Sequence, residues 1–151
     1  MAIMEGYFGA PDLTAAVISD GWLHTGDIAS IDADGRVWIH DRACYVVNVG
    51  GFKVYPGEVE ASLLGHPCVA EAMAIGMPDA MRGQVVAALV RLRPDGPDTT
   101  PAELVRFARE RMAAFKVPRT VVIVDELPRN DTGKPARGRA IEMIQEATQV
   151  D

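Results

Sequence analysis

The sequence predicts an α+β chain, in which a leading β-hairpin precedes a small domain with a three-stranded antiparallel core sheet, an added β-hairpin and flanking helices. Three observations predict it. Runs rich in β-branched and aromatic residues recur around glycine turns. Two other segments open with helix-start chemistry, a proline in the first turn and a Thr-x-x-Glu capping pattern. No apolar run approaches the roughly 20 residues that span a bilayer, so the apolar residues, 48% of the chain, are expected to build a core.

Gly6, Gly9, Pro11, Gly21, Gly26 and Gly35 punctuate the first forty residues, which carry little apolar periodicity. Residues 27–32 and 36–40 flank Ala33-Asp34-Gly35, whose residues tolerate positive φ, and read as a hairpin. A lone hairpin is marginally stable at best, so its sheet is expected to draw other strands from outside this chain. Residues 45–49 and 52–54 form a second β-rich pair around Gly50-Gly51. Pro56 then starts a helix of about two turns that ends near Gly65. Residues 69–75 and 84–92 carry the strongest strand signals, and Pro94-Asp95-Gly96-Pro97-Asp98 is a turn. Thr100-Pro101-Ala102-Glu103 opens a helix whose apolar face is Leu104, Phe107, Ala108 and Met112. A short strand over 121–124, a loop over 125–137 and a helix from about Arg139 to Ala147 complete the expectation.

Composition narrows the function classes. With 15 basic and 21 acidic residues the formal charge is −6, which argues against a nucleic-acid partner. Cys44 and Cys68 are too far apart in sequence to chelate and read as free thiols of a cytoplasmic protein. His24, His40 and His66 are scattered without metal-ligand spacing, so no metal site is expected.

Three segments carry chemistry: 21–27, then 41–42 with 48–60, then 127–134. In the first, Thr25-Gly26-Asp27 sets a carboxylate at a glycine turn, suited to accepting two hydroxyls at once, as a ribose diol requires. A turn aspartate bonding its own backbone is the plain alternative. Gly50-Gly51 permits close backbone approach by a ligand, or is simply a turn. Gly133-Lys134 invites comparison with a P-loop, but the upstream glycine that motif requires is absent. A flexible loop ending in a lysine suits another task, delivery of one positive charge to a site built elsewhere. Six basic residues between 116 and 139, against three acids, suggest a face presented to phosphates.

Together and in this order, the three segments resemble the adenylate-forming superfamily of acyl-CoA synthetases, luciferases and peptide-synthetase adenylation domains. The resemblance covers nearly the whole chain but only the last third or so of such an enzyme. It implies that residues 1–42 are the trailing segment of a large N-terminal domain and 43–151 a mobile C-terminal lid. It implies Lys134 as the catalytic lysine of adenylation, with Asp27, Arg42 and Thr25 at the nucleotide. Gly50, Gly51, Phe52 and Lys53 would line the tunnel for a pantetheine thiol. Ala43 and Cys44 would be the hinge, where this chain departs from the family's usual charged residue and is stiffer and less polar. The implied partners are ATP with Mg, a carboxylic acid, CoA or an acyl carrier protein bearing phosphopantetheine, and the N-terminal domain. The reading of 53–60 resembles the fatty-acyl and aryl CoA-ligase branch. Two rivals stand beside it: a non-catalytic module docking onto a partner ligase or carrier protein, and the lid of an amino-acid adenylation domain.

Overall fold

The computed structural model describes residues 3–149. Two units divide the chain, one up to Cys44 and one from Tyr45 onward.

In the first unit Pro11 starts the short helix α1 (Pro11–Val17), which the sequence signals did not reveal. A two-residue ladder follows, β1 (Ile18–Ser19) against β2 (Trp22–Leu23). Its turn residues Asp20 and Gly21 both have positive φ, the geometry a tight hairpin requires. The expected hairpin is present as β3 (Asp27–Ile31) and β4 (Val37–Arg42), antiparallel with a register shift at Ile28/Ala29. Asp32 closes its turn by accepting N–H bonds from Asp34 and Arg36 and the indole N–H of Trp38. Among the described residues β3 and β4 pair only with each other, and Ile31, Val37, Trp38 and Ile39 are exposed on them.

The second unit holds the core. β5 (Val47–Val49) and β6 (Phe52–Val54) form a hairpin, and Pro56 opens α2 (Pro56–Leu64). β7 (Val69–Asp79) and β8 (Gly83–Leu92) make a long antiparallel ribbon. Thr100 caps α3 (Pro101–Arg109) with both halves of the capping box in place. β9 (Thr120–Ile123) and α4 (Arg137–Thr148) complete the unit.

β9 lies parallel to β8, not antiparallel as expected. The connection over residues 93–119 contains α3, long enough to carry the chain back over the sheet in the same direction. β5 meets β8 at Gly83 and β9 meets it at residues 87–90, so the two share one edge of β8 while β7 takes the other.

Side chains alternate between two cores, as strand geometry dictates. On one face Ala74, Val86, Ala88 and Val90 pack with Val59 and Leu63 of α2 and Leu104 and Ala108 of α3. On the other, Met73, Ile75, Ala87 and Leu89 pack with Ala140 and Ile144 of α4. Each fully buried aliphatic side chain contributes roughly 1.5–3 kcal/mol.

Candidate active site

Three predicted nucleotide-site residues come together in the first unit. Gly26, with φ at +75°, turns the chain into β3. The hairpin register makes Asp27 and Arg42 cross-strand partners, and Arg42 Nε lies 3.3 Å from Asp27 Oδ1. Thr25 Oγ1 accepts the Asp27 N–H at 3.2 Å, and the Ala43 N–H bonds to the Gly26 carbonyl at 2.8 Å, closing the corner.

The second unit carries the other two motifs, each as a turn organised by an asparagine. At Gly50-Gly51 both residues have positive φ, +57° and +91°, which selects glycine over any residue with a Cβ. The Asn48 side chain accepts the Gly51 N–H at 3.1 Å, and the Gly50 N–H reaches the Arg82 carbonyl at 2.9 Å. A Cβ built on either glycine would meet nothing within 4 Å, so the space over this turn is open. Phe52 is 57% exposed yet stacks on Phe115, with ring centroids 4.6 Å apart. Lys53 is exposed and forms no ion pair among the described residues.

Lys134 sits on a hydrogen-bonded turn and not on the open loop expected. Arg129 and Pro135 are bridge partners, and Asn130 and Lys134 are linked backbone to backbone at 2.8 Å. Asn130 Oδ1 gathers three donors, the Thr132 N–H, the Thr132 hydroxyl and the Lys134 N–H, at 3.1, 2.8 and 2.9 Å. Gly133, at φ +77°, completes the reversal. The Lys134 side chain is exposed.

Charges around this turn correct the sequence reading. The basic excess over 116–139 is not a face for phosphates, because five of the six residues are already paired. Lys116 bonds Glu58, Arg119 bonds Asp79, Arg129 bonds Glu71, Arg137 bonds Glu60, and Arg139 bonds Glu142 and Glu146. Lys134 alone of the six makes no ion pair among the described residues. Four of the partners come from residues 58–79, which a local count could not include. The segment thus concentrates its available charge at one ammonium.

Arg137 also has an architectural task. Ala74 presents its N–H and carbonyl on the edge of β7 that carries no strand among the described residues. Glu60 accepts that N–H at 2.9 Å, and Arg137 donates to that carbonyl while lying over the Tyr45 ring at 4.6 Å. The two side chains satisfy part of an otherwise open edge.

The two turns are anchored at opposite ends of the β7–β8 ribbon. Gly50 is held beside Arg82 and Gly83, whereas Arg129 reaches Glu71, whose strand partner is Arg91. From Glu71 to Asp79 the strand runs roughly 26 Å, at about 3.3 Å per residue. Ala43 and Cys44 lie in a single 3₁₀ turn (Ala43–Tyr45), and Cys44 is an exposed free thiol. Cys68 is buried and free. Among the described residues no group of three or more His, Cys, Asp and Glu side chains could hold a metal ion, and no helix is long and apolar enough to cross a membrane.

Asn48, Asn130, Glu71 and Arg129 were not picked out from sequence as site residues. An asparagine two to four residues before a positive-φ glycine is a usable local signal for the first pair. The Glu71–Arg129 contact spans 58 residues and has no such signal.

Comparison with known proteins places these motifs in context. Residues 58–134 match the family described as AMP-binding enzyme C-terminal domain. A long-chain-fatty-acid–CoA ligase of Bacillus subtilis is 41% identical over 140 residues, which is 93% of this chain and 25% of the ligase. A fatty acid–[acyl-carrier-protein] ligase of Streptomyces coeruleorubidus is 44% identical over 136 residues, 90% of this chain and 26% of that protein. The solved o-succinylbenzoate CoA synthetase of Bacillus subtilis, in complex with its acyl-adenylate intermediate, superposes with a TM-score of 0.83 at 36% identity, covering 91% of this chain and 28% of that one. The chain spans about a quarter of the length of the curated relatives it matches.

Proposed function

The chain belongs to the family of AMP-binding enzyme C-terminal domains, and from that premise we propose that it is the catalytic lid of an ATP-dependent acid–thiol ligase. Residues 1–42 are the trailing segment of the large domain of that ligase, and 43–151 the lid. The observation that carries the reading is the isolation of Lys134: one unpaired, exposed ammonium on an ordered turn, amid basic residues that are otherwise neutralised.

Adenylation brings a substrate carboxylate against the α-phosphate of ATP. As a carboxylate oxygen bonds to that phosphorus, the bond to the β-phosphate bridging oxygen breaks and pyrophosphate leaves. Negative charge accumulates on the non-bridging oxygens. Lys134, placed between the two anions, offsets their repulsion and stabilises the transition state. Asp27 accepts the ribose hydroxyls, with Arg42 and Thr25 fixing its orientation. Magnesium would travel with the ATP phosphates; among the described residues no cluster fits it.

In the second half a thiol sulfur attacks the acyl carbonyl and AMP leaves. The Gly50-Gly51 turn, open above its backbone, suits the narrow passage of a pantetheine arm, with Phe52 and Lys53 beside it. Ala43 and Cys44, at the boundary between units, are the hinge about which the lid exchanges one turn for the other. The relatives named above include both a CoA ligase and a carrier-protein ligase, which supports a pantetheine thiol as the acceptor.

ATP–pyrophosphate exchange tests the reading. A ligase that ends in this chain, assayed over fatty and aromatic acids, is expected to exchange label, and Lys134→Ala is expected to lower the rate by about two to four decades. Full exchange by the lysine variant would remove the catalytic role.

A further inference from the structure

The turn that carries Lys134 is tied to the sheet by Arg129 beside the lysine and by Arg137 at its base. Arg129 Nη1 donates to the Gly133 carbonyl at 3.1 Å, in the peptide immediately before Lys134. Its Nη2 reaches Glu71 Oε2 at 2.5 Å. The other oxygen of Glu71 is held by Arg91, through Nε at 2.7 Å and Nη2 at 2.6 Å. Arg91 is the cross-strand partner of Glu71 on the β7–β8 ribbon, so the carboxylate is fixed by the most extensively paired part of the fold. Arg91 first and Arg129 second hold the Glu71 carboxyl below the usual range, which keeps it ionised.

The division of labour within Arg129 follows. A guanidinium has a planar fork, and anchoring one prong at Glu71 aims the other at Gly133. Arg129 is half exposed, so Glu71 is what holds that aim against water. Asn130 shapes the turn internally, but its bonds to residues 132 and 134 do not fix the turn relative to the sheet. The Arg129–Glu71 link does that next to the lysine, and Arg137, just past the turn, adds bonds to the Ala74 carbonyl and to Glu60.

We propose that Glu71 is a positioning residue for Lys134, acting through Arg129 on the Gly133 carbonyl and serving adenylation but not thiol transfer. This rests on the reading of Lys134 as the adenylation lysine and adds to it a residue that touches no substrate. Selectivity comes from place: the Gly50-Gly51 turn is anchored at the other end of the ribbon. A displacement of about 1 Å can cost up to 10²-fold in rate, and with the Asn130 bonds still in place a loss of about tenfold is expected.

Two measurements test it. In the ligase ending in this chain, Glu71→Gln and Arg129→Ala are compared with the parent in pyrophosphate exchange and in thioester formation from preformed acyl-adenylate. The expected result is about a tenfold lower exchange kcat with KM for ATP unchanged, and a thioester rate within twofold of the parent. Arg129→Lys, which lacks the fork, should not rescue. Equal loss in both half-reactions, or none in either, overturns the proposal. Separately, amide hydrogen exchange on this chain alone should show the Gly133 and Lys134 N–H groups exchanging several-fold faster in Glu71→Gln, with Gly51 unchanged. Unaltered protection at Lys134 also overturns it, whatever the activity. If the parent ligase itself fails to exchange label, the function reading falls, and the amide result alone then decides whether the tether exists.

Discussion

The two glycine turns of the second unit use the same device to opposite ends. At 48–51 an asparagine side chain holds the backbone so that the turn presents nothing: two glycines, positive φ at both, open space above. At 130–134 an asparagine again holds the backbone, and the turn presents one long cation. The first is tuned by removing side chains, the second by neutralising every competing charge around a single lysine. Their anchors lie at opposite ends of one ribbon, so substitutions at one should leave the other unaffected.

A crossed pair of variants tests that independence most severely. Lys134→Ala should cost adenylation about two to four decades and thioester formation from preformed adenylate less than tenfold. Gly51→Val should do the reverse. It puts a β-branched residue at φ +91° and fills the space over the turn, so thioester formation should fall by about 10² while exchange stays within a fewfold. If either variant damages both half-reactions alike, the two turns are not separate devices.

How legible this was depends on how local each signal is. Gly50-Gly51, Pro56 at the first turn of α2 and the Thr100–Glu103 box all act within four residues, and the structure shows each where the sequence indicated. The β9 direction was not legible, because antiparallel and parallel pairing use the same short apolar run and only the crossover through α3 decides. Short helix α1 lay among glycines and a proline that read as loop. The charge map around Lys134 was misread for a related reason. Its neutralising carboxylates, Glu58, Glu60, Glu71 and Asp79, lie 40 to 77 residues away in sequence and meet the segment only in the folded unit. Of the candidate site, the segments around Lys134, Gly50-Gly51 and Asp27–Arg42 stood out as motifs in sequence; the side chains that bond them in the fold, Glu71 above all, did not.

The shared frame gives the next test. Leu89 is fully buried at the middle of β8, between the two anchors. Leu89→Ala should cost about 2–5 kcal/mol of stability, read as a lower urea midpoint. Below the melting temperature both half-reactions should weaken together, unlike the crossed pair. A selective loss of one would mean that the frame is not shared.

Smaller effects come from the asparagines. Asn130→Ala removes the acceptor of the Thr132 and Lys134 donors and Asn48→Ala the acceptor of the Gly51 N–H, so each should loosen only its own turn. With about 1 kcal/mol of each loss felt in the transition state, adenylation should fall about fivefold in the first and thiol transfer about fivefold in the second. Similar losses in both reactions from either variant would contradict the reading of these residues as local organisers.

The smallest expected effect lies outside both turns and calibrates the rest. Thr100 caps α3 and bonds Glu103 in both directions. Thr100→Ala should lower stability by about 1 kcal/mol, a few degrees in Tm, with neither half-reaction changed at 25 °C. Glu103 adds a pH signature. Its carboxyl is held below the usual range, first by the Thr100 N–H and next by the Thr100 hydroxyl. A depressed carboxyl contributes stability that is present above its unfolded value, about 4.3, and is lost as pH falls through the folded one. The Tm difference between the parent and Glu103→Gln should therefore be largest above about pH 5 and shrink on acidification. A difference that stays constant down to pH 3 would show that the cap does not depend on the ionised carboxylate. A change in either half-reaction at neutral pH would show that α3 communicates with a turn, and the comparison of two independent turns would then need a third participant.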